Sequence, residues 1–395
     1  MKRLTGYWHQ NARLIMLGVL VAAGLGWLLL HKLASLTGGL SGGEVSAATA
    51  AVGWHGIYAD PLYLPLKLVR SVVFFLAPDH GQALTRLPNV VFGGLTTLTF
   101  GWLIWLWHGQ RTALLTTLLF GCSAWVLHVS RLASFDVLYL WSVPTLLMVQ
   151  VLLHRYRQKA AVWYACLIAW SALLYIPGLV WLVLLQVYLQ RKLIADGWRH
   201  LASWRLKLLS LASGLLWLPL LGVDLSRHGR FLTWLGLPSH WPGLGTLLKQ
   251  FVAVPIHLFV RGPQYPDIWL ARAPIMDIFT LVVCGLGIYF YAVHWRSSRT
   301  RSLANLFLAG WILVAIGGPV GLSLLVPFLY VMAATGLAYL LRDWLKVFPL
   351  NPLARGIAVG LVSLAVIASC VFQLRAYFVV WPHTATTHAV FRYHR

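Results

Sequence analysis

The sequence predicts an all-α polytopic membrane protein, and three observations lead to this fold class. Of 395 residues, 59% are hydrophobic and only 10% are charged, whereas soluble domains carry roughly 25% charged residues. The mean hydropathy is +0.76. Apolar runs that approach the roughly 20 residues needed to cross a bilayer recur along the whole chain. A soluble enzyme and a disordered chain are therefore both excluded.

Eleven apolar runs are predicted to span the membrane. Ten or twelve are alternatives, because two short hinges, 176–178 and 317–319, combine Pro and Gly and interrupt the pattern. The first run, 14–30, lacks a small-residue cleavage motif and is expected to remain as an anchor. The predicted spans are 12–33, 87–107, 112–128, 136–154, 160–175, 178–190, 207–223, 275–294, 303–318, 320–341 and 356–375.

The basic residues predict the orientation of the chain. Lys and Arg number 31 against 9 acidic residues, and their bias between alternate loops predicts a cytoplasmic N-terminus and an outer C-terminus. Most of the acidic residues then fall on the outer side, where we expect the chemistry. The basic residues are separated by long apolar runs, which predicts membrane lipids and not nucleic acid as partners.

Two long loops and the C-terminal tail are predicted to lie outside, within a single domain covering 1–395 and without a separate soluble domain. The first outer loop, 34–86, is expected to hold two short interfacial helices, 45–52 and 66–76. A second long outer loop covers 224–274. The outer tail, 376–395, has two interpretations: a lid over the site, or a plain interfacial anchor.

Glu44 is the only glutamate in the chain and follows the first span by about ten residues. One interpretation is a general base at the outer membrane surface. The other is structural, because Ser41-x-x-Glu44 has the spacing of a capping box at the start of a helix. A capped helix end would also hold the carboxylate still, so the two interpretations are compatible.

Asp136 ends the segment His128-Val-Ser-Arg131-Leu-Ala-Ser-Phe-Asp136. It is a second candidate catalytic carboxylate, with Arg131 available for a phosphate and His128 nearby. The alternative is an acid in the first turn of a helix, after a Ser134 cap. Asp60 adjoins Pro61, which is typical of a turn.

Cations on the outer side run against the positive-inside tendency, and phosphate is a natural partner for them. Lys67, Arg86 and Arg131 are the candidates for binding phosphate; the alternative is that such residues snorkel to lipid headgroups. No ligand spacing for a metal is present, so we expect no cofactor, with a divalent metal as the alternative. No P-loop or GxGxxG motif opens a helix, so ATP-driven transport has no support.

Three ordered segments resemble the GT-C glycosyltransferases, particularly the bacterial relatives of protein O-mannosyltransferases and aminoarabinose transferases. The first joins Gly43-Glu44, the Asp60-Pro61 turn and Lys67. The second, TRLPNVVFG at 85–93, is similar to the family's R-x-P-S-x-x-x-G. The third, HVSRLASFD at 128–136, is similar to A-R-x-x-R-x-D. The family's first loop usually reads Asp-Glu, so its catalytic position falls here on Glu44 alone.

The resemblance covers roughly residues 10–190. It implies a GT-C-like fold and transfer of a sugar from a polyprenyl-phosphate donor to a hydroxyl of a lipid, glycan or protein, outside the bacterial cytoplasmic membrane. The implied site combines Glu44 and Asp136 as catalytic carboxylates, which act as the base, with Lys67, Arg86, Arg131, Asp60 and His128 as substrate ligands. A lipid-linked-sugar carrier or flippase, and an inactive assembly subunit with the same fold, are the alternatives.

Overall fold

The computed structural model describes residues 2–49, 53–77, 81–156, 158–200, 203–218, 220, 222, 228–263, 273–347 and 351–392. About 80% of the chain is helical, and the described residues contain no β-strand. One hydrophobic core extends from Leu25 near the start of the chain to Phe391 near its end. The all-α fold class predicted from composition is confirmed.

Nineteen α-helices are present in the described residues. They are α1 Lys2–Leu30, α2 Gly42–Thr49, α3 Gly53–Ala59, α4 Leu64–Leu76, α5 Gln82–His108, α6 Gln110–Gly121, α7 Ala124–Arg131, α8 Val137–Tyr156, α9 Ala160–Leu174, α10 Leu179–Leu189, α11 Arg191–His200, α12 Trp204–Gly214, α13 His228–Trp234, α14 Leu244–Phe259, α15 Ile278–Val293, α16 Ser298–Ala315, α17 Val326–Val347, α18 Pro352–Arg375 and α19 Ala385–Val390.

Four helical segments of the described chain are long and apolar enough to cross a membrane: 82–108, 137–156, 322–347 and 352–383. Helices α6 and α7 together meet the same criterion but are bent by 62°. Five shorter apolar helices accompany them: the part of α1 from Met16 to Leu30, α9, α10, α14 and α15. Ten of the eleven predicted spans fall on a helix or a helix pair, and the count of eleven stays a prediction.

Several boundaries differ from those predicted. Helix α2 begins at Gly42 and not at Val45, and a further helix, α3, begins at Gly53, where a stop was expected. Residues 50–52 lie outside the described residues. The predicted span 207–223 is a helix only as far as Gly214 before a turn. The second outer loop contains α14, sixteen residues of apolar helix that the loop prediction missed.

Several close contacts between helices depend on glycine, for example those at Gly287 and Gly93. A β-carbon on Gly287 of α15 would lie 1.8 Å from the carbonyl oxygen of Met332 in α17. A β-carbon on Gly93 of α5 would lie 2.4 Å from Cβ of Ser130 in α7. Small residues let helix backbones approach closely in membrane proteins. The second contact brings α7, and therefore His128 and Arg131, against the centre of the molecule.

Candidate active site at one end of the helix bundle

A cavity of about 460 Å³ lies where the first outer loop meets the turn between α7 and α8. Three residues predicted from the sequence, Glu44, His128 and Asp136, line it together. They come from three separate elements: α2, α7 and the residue before α8. The other lining residues are Ser41, Gly43, Ser46, Ala47, Val129, Leu132, Ser134 and Phe135.

Helix α2 begins with the capping box that the sequence predicts. The Ser41 backbone N–H donates to Glu44 Oε2 at 3.0 Å, and the Glu44 N–H donates to Ser41 Oγ at 3.1 Å. These reciprocal bonds satisfy backbone donors that the first helical turn leaves without partners. The structural interpretation of Glu44 is therefore present in the molecule.

Glu44 also forms a buried ion pair with Arg86 of α5. Arg86 Nε donates to Oε1 at 2.7 Å and Nη2 donates to Oε2 at 2.8 Å. Each side chain is only 2% exposed. The Ala133 N–H donates to Oε1 at 3.0 Å, so the carboxylate accepts four hydrogen bonds. Glu44 thereby joins α2, α5 and the turn before α8.

Arg86 has no nitrogen left for a ligand in this arrangement. Nη1 donates to the Leu33 carbonyl at 2.9 Å, and Nη2 also contacts Gly39 O and Thr37 Oγ1, at 2.9 and 3.1 Å. All three guanidinium nitrogens therefore contact protein oxygens. This geometry fits a clamp for the first loop better than the phosphate ligand that the sequence predicts.

The carboxylate of Asp136 differs from that of Glu44 in its hydrogen bonding. It is half-buried at the cavity wall, and within the described residues no side chain or N–H group donates a hydrogen bond to it. Its backbone carbonyl accepts from the N–H of Tyr139 at 3.0 Å at the start of α8. Burial raises the pKa of the Asp136 carboxyl to about 6. Helix α8 begins at Val137, so Ser134 lies three residues before it and not at the predicted cap position. The Ser134 carbonyl accepts from Asn89 Nδ2 at 2.6 Å.

Lys67 and Asp60 form the second ion pair of the site. Lys67 Nζ donates to Asp60 Oδ2 at 2.7 Å and to the Asp60 carbonyl at 2.6 Å. The Lys67 side chain is fully buried; burial lowers its pKa, and the bond to Asp60 opposes that shift. Asp60 also accepts from the Leu62 N–H at 3.3 Å, so it forms the predicted turn and anchors the lysine.

Phe135, beside Asp136, is surrounded by cations and by a ring. Lys67 Nζ lies 5.9 Å and the Arg70 guanidinium 5.5 Å from its centroid, and Tyr63 stacks on it at 4.3 Å. Tyr63 adopts the left-handed conformation, with φ 61°, which is uncommon outside glycine and is often found at functional sites. Sequence reasoning missed both Tyr63 and Arg70.

Arg70 is completely buried. Its Nη1 donates to the Ala47 carbonyl, and Nη2 lies 3.4 Å from Asn89 Oδ1. Its Nε has no hydrogen-bond partner in the described part of the chain. Burial lowers the pKa of Arg70 to about 10, and Glu44 opposes that shift. The guanidinium therefore remains charged at neutral pH behind the cavity wall.

Arg131 ends α7 and is 2% exposed. Its Nη2 donates to the carbonyl of His31, at the end of α1. Its Nε and Nη1 have no hydrogen-bond partner within the described residues. The guanidinium carbon lies 5.4 Å from the ring of Tyr377 and 4.9 Å from that of Phe378. Residues that follow α18 therefore cover Arg131. They belong to the tail, 376–395, which the sequence predicts to be either a lid or an interfacial anchor.

No group of three or more His, Cys, Asp or Glu residues with metal-binding geometry occurs in the part of the chain that the structure describes. The four cysteines are buried and free. Metal independence stays a prediction, and the chemistry discussed below uses only the side chains described here.

No protein-family model and no curated protein sequence matches the chain. Its structure, however, is similar to that of ArnT, an aminoarabinose transferase, from Cupriavidus metallidurans. The apo form superimposes with a TM-score of 0.54 and 14% identity over 97% of this chain and 77% of that chain. The structure of ArnT bound to undecaprenyl phosphate superimposes with a TM-score of 0.55 and 14% identity over 96% of this chain and 77% of that chain.

The chain has the GT-C fold. The structural likeness extends over nearly the whole chain, whereas the sequence resemblance covers only its first half. The GT-C fold thus includes the helices after residue 210, for which the sequence offered only a count of spans. At 14% identity the likeness concerns the fold, so residue roles have to be argued from this chain's own contacts.

Within this GT-C fold, all seven predicted site residues lie in one region. Glu44, Asp136 and His128 line the cavity, and Arg86 contacts Glu44. Lys67 is paired with Asp60 and lies against the ring of Phe135, which lines the cavity. Arg131 lies on α7, the same helix as His128. The sequence missed Arg70, Tyr63, Asn89 and Tyr377. Only Arg70 gave a signal, as a second cation one turn after Lys67 on the same helix.

Proposed function

We propose that the protein is a membrane glycosyltransferase that moves a sugar from a polyprenyl-phosphate donor to a hydroxyl of a lipid, glycan or protein. The observation that carries this proposal is the cavity itself. It combines an unpaired carboxylate, Asp136, with buried cations behind the lining residues. A base and a cationic environment are what displacement of a phosphate leaving group requires.

Asp136 is the general base of the proposed reaction. Its carboxylate is free of hydrogen bonds from the described residues and faces the cavity. A base acts best when its pKa lies near the working pH, and that of Asp136 is about 6. The acceptor oxygen attacks the anomeric carbon while Asp136 takes the hydroxyl proton. The bond from that carbon to the phosphate oxygen breaks, its electron pair leaves with polyprenyl phosphate, and the anomeric centre inverts.

Glu44 has the positioning role in this proposal. Its four hydrogen bonds, two of them from Arg86, occupy both carboxylate oxygens. The contact from Ala133 N–H to Glu44 lies three residues before Asp136. Glu44 therefore holds the turn that carries the base. This assignment differs from the expectation drawn from the resemblance, which places the catalytic base on Glu44.

Lys67 and Arg131 are the proposed ligands of the donor phosphate. Lys67 has three N–H donors, and Asp60 accepts at two oxygens. Arg131 retains two donor nitrogens without partners in the described chain. Stabilising the charge that develops on a leaving group is commonly a large contribution to catalysis. His128 lines the same cavity and is proposed to contact substrate.

Location follows from the proposed donor. We propose that the protein works in a bacterial cytoplasmic membrane, with the site on the outer side, as the distribution of Lys and Arg predicts. ArnT, to which the chain is similar, has been determined with undecaprenyl phosphate. The likeness supports a lipid-linked donor for this chain.

The proposal is tested with purified protein in nanodiscs, a panel of undecaprenyl-phosphate-linked hexoses and pentoses, and membrane extract as acceptor source. Release of undecaprenyl phosphate measures donor consumption without knowledge of the acceptor. We expect release by the wild-type protein and a loss of about 10²–10⁴-fold in Asp136→Asn. Binding of donor without any consumption would favour the carrier. A wild-type protein that neither binds nor consumes the donor would favour the inactive assembly subunit.

A further inference from the structure

The segment after α18 places four aromatic rings against the candidate site. Its backbone makes one wide helical turn, Ala376–Val380, then a short 3-10 turn, Trp381–His383, and then α19. We call the rings of Tyr377, Phe378, Trp381 and Phe391 the aromatic stack. Tyr377 and Trp381 are stacked at 5.2 Å, and Phe391 meets Trp381 edge-on at 5.6 Å.

The aromatic stack contacts three residues of the site. Phe391 lies 6.0 Å from the Arg86 guanidinium, Trp381 meets the His128 ring edge-on at 4.8 Å, and both Tyr377 and Phe378 face Arg131. Thr387 Oγ1 donates to the Trp381 carbonyl at 2.9 Å and fixes α19 against the turn. The rings thus cover one side of the site.

An interfacial anchor would present these rings to lipid, and the structure shows the opposite. Tyr377 is 1% exposed and Trp381 2%, whereas the neighbouring Val379 is 53% exposed. Aromatic rings point inward and aliphatic side chains outward along the same few residues. The segment is therefore packed against residues of the site.

Arg131 and Arg86 are held by different kinds of contact. Arg86 is held by a carboxylate and by carbonyls, which occupy its N–H donors. Arg131 is held through the faces of two rings and by one carbonyl, so Nε and Nη1 stay without partners in the described residues. A ring attracts a cation through its π face and accepts no conventional hydrogen bond. The guanidinium is thus fixed without its charge being neutralised.

Two unsatisfied donors on a buried cation are costly unless an acceptor fills them. An anionic oxygen is the chemistry that matches a guanidinium held in this way. We propose that Tyr377 and Phe378 are positioning residues, which hold Arg131 with its donors open for the phosphate of the lipid-linked donor. This inference rests on the proposed function and adds the C-terminal segment to its donor site.

The test measures the affinity of undecaprenyl phosphate for the full-length protein by native mass spectrometry. Tyr377→Leu removes one ring and is expected to weaken binding about 2- to 30-fold, the range of a cation–π contact. Tyr377→Phe retains the ring and is expected to bind as the wild type does. Phe378→Leu, at a less buried position, is also expected to weaken binding. This variant replaces Tyr377→Leu in the test if Tyr377→Leu does not fold.

The matched control is Phe372→Leu, in α18, whose ring is 63% exposed and away from the stack. It is expected to leave affinity unchanged. A double-mutant cycle separates positioning from general stability: on an Arg131→Gln background, Tyr377→Leu is expected to have no further effect. In transfer assays, Tyr377→Leu is expected to raise KM for the donor more than it lowers kcat.

The possible outcomes distinguish this inference from the proposed function. If the wild type binds and consumes the donor while both leucine variants bind as tightly, the positioning role is wrong and the proposed function stands. Equal losses in the presence and absence of Arg131 would also overturn it, because the rings would then act elsewhere. If the wild type binds no polyprenyl phosphate, both proposals fail together.

Discussion

Arg86 and Glu44 form a bidentate pair that connects α5 to the first helix of the outer loop, with Nε–Oε1 and Nη2–Oε2 distances of 2.7 and 2.8 Å. The two residues are 42 positions apart in sequence, and both are buried. Breaking a buried pair by removing one partner leaves the other charge uncompensated. The pair is therefore a structural centre of the site, whatever the chemistry.

Glu44→Gln is expected to destabilise the protein by about 3–5 kcal/mol, because Arg86 loses its counter-ion in a buried position. The measurement is thermal unfolding in detergent. The matched control is Asp343→Asn, which breaks an exposed pair with Lys346 at 3.9 Å and should change stability by less than about 1 kcal/mol. Unchanged unfolding of Glu44→Gln would show that the pair does not hold the loop.

Transfer activity is expected to rise with pH through about 6. Burial raises the pKa of Asp136, so below that pH the carboxyl is protonated and cannot accept the acceptor proton. The pH dependence of kcat/KM for the donor reports this group in the free enzyme. A profile flat from pH 5 to 8, or one that falls as pH rises through 6, contradicts Asp136 as the base.

Asp136→Asn is expected to stabilise the protein at pH 7.5 while it lowers transfer activity about 10²–10⁴-fold. The folded-state pKa of Asp136 is above its usual value, so the ionised form is disfavoured by folding and its contribution to stability falls as pH rises toward neutrality. Removing that charge should raise Tm by about 1–4 °C at pH 7.5 and by less at pH 4. A lower Tm at pH 7.5 would indicate that the carboxylate has a stabilising partner.

The parts of this site that the sequence predicts are those that depend on local spacing. The Ser41–Glu44 capping box and the turn at Asp60 use contacts two to seven residues apart. Apolar run length predicts the helices in the same way. The first and third segments of the resemblance also brought Glu44, Lys67 and Asp136 into one predicted region, which the cavity and its walls contain.

The parts that the sequence does not predict depend on contacts between distant elements. The Glu44 partner Ala133 is 89 residues away, and the Arg131 partner His31 is 100 residues away. The inward direction of Tyr377 is likewise set by Arg131 and Trp381, since aromatic residues in such a tail are equally typical of a membrane interface. Helix α14 was missed because its apolar run is short and flanked by polar loops.

Gly93→Ala is expected to destabilise the protein by about 1–3 kcal/mol, the range for overpacking a filled contact. The new Cβ would lie 2.4 Å from Cβ of Ser130, so α7 has to move away from α5, and His128 and Arg131 move with it. Donor affinity should fall along with stability. Thermal unfolding and undecaprenyl phosphate binding measure the two effects.

The adjacent glycine provides the control for that substitution. A β-carbon on Gly94 would meet only Leu29 Cδ1, at 3.9 Å, an ordinary van der Waals distance, so Gly94→Ala should fold and bind as the wild type does. Ser130→Gly in the Gly93→Ala background removes the opposing β-carbon and should recover most of the lost stability. Equal effects of the two alanine substitutions would mean that helix propensity, and not the contact with α7, determines the result.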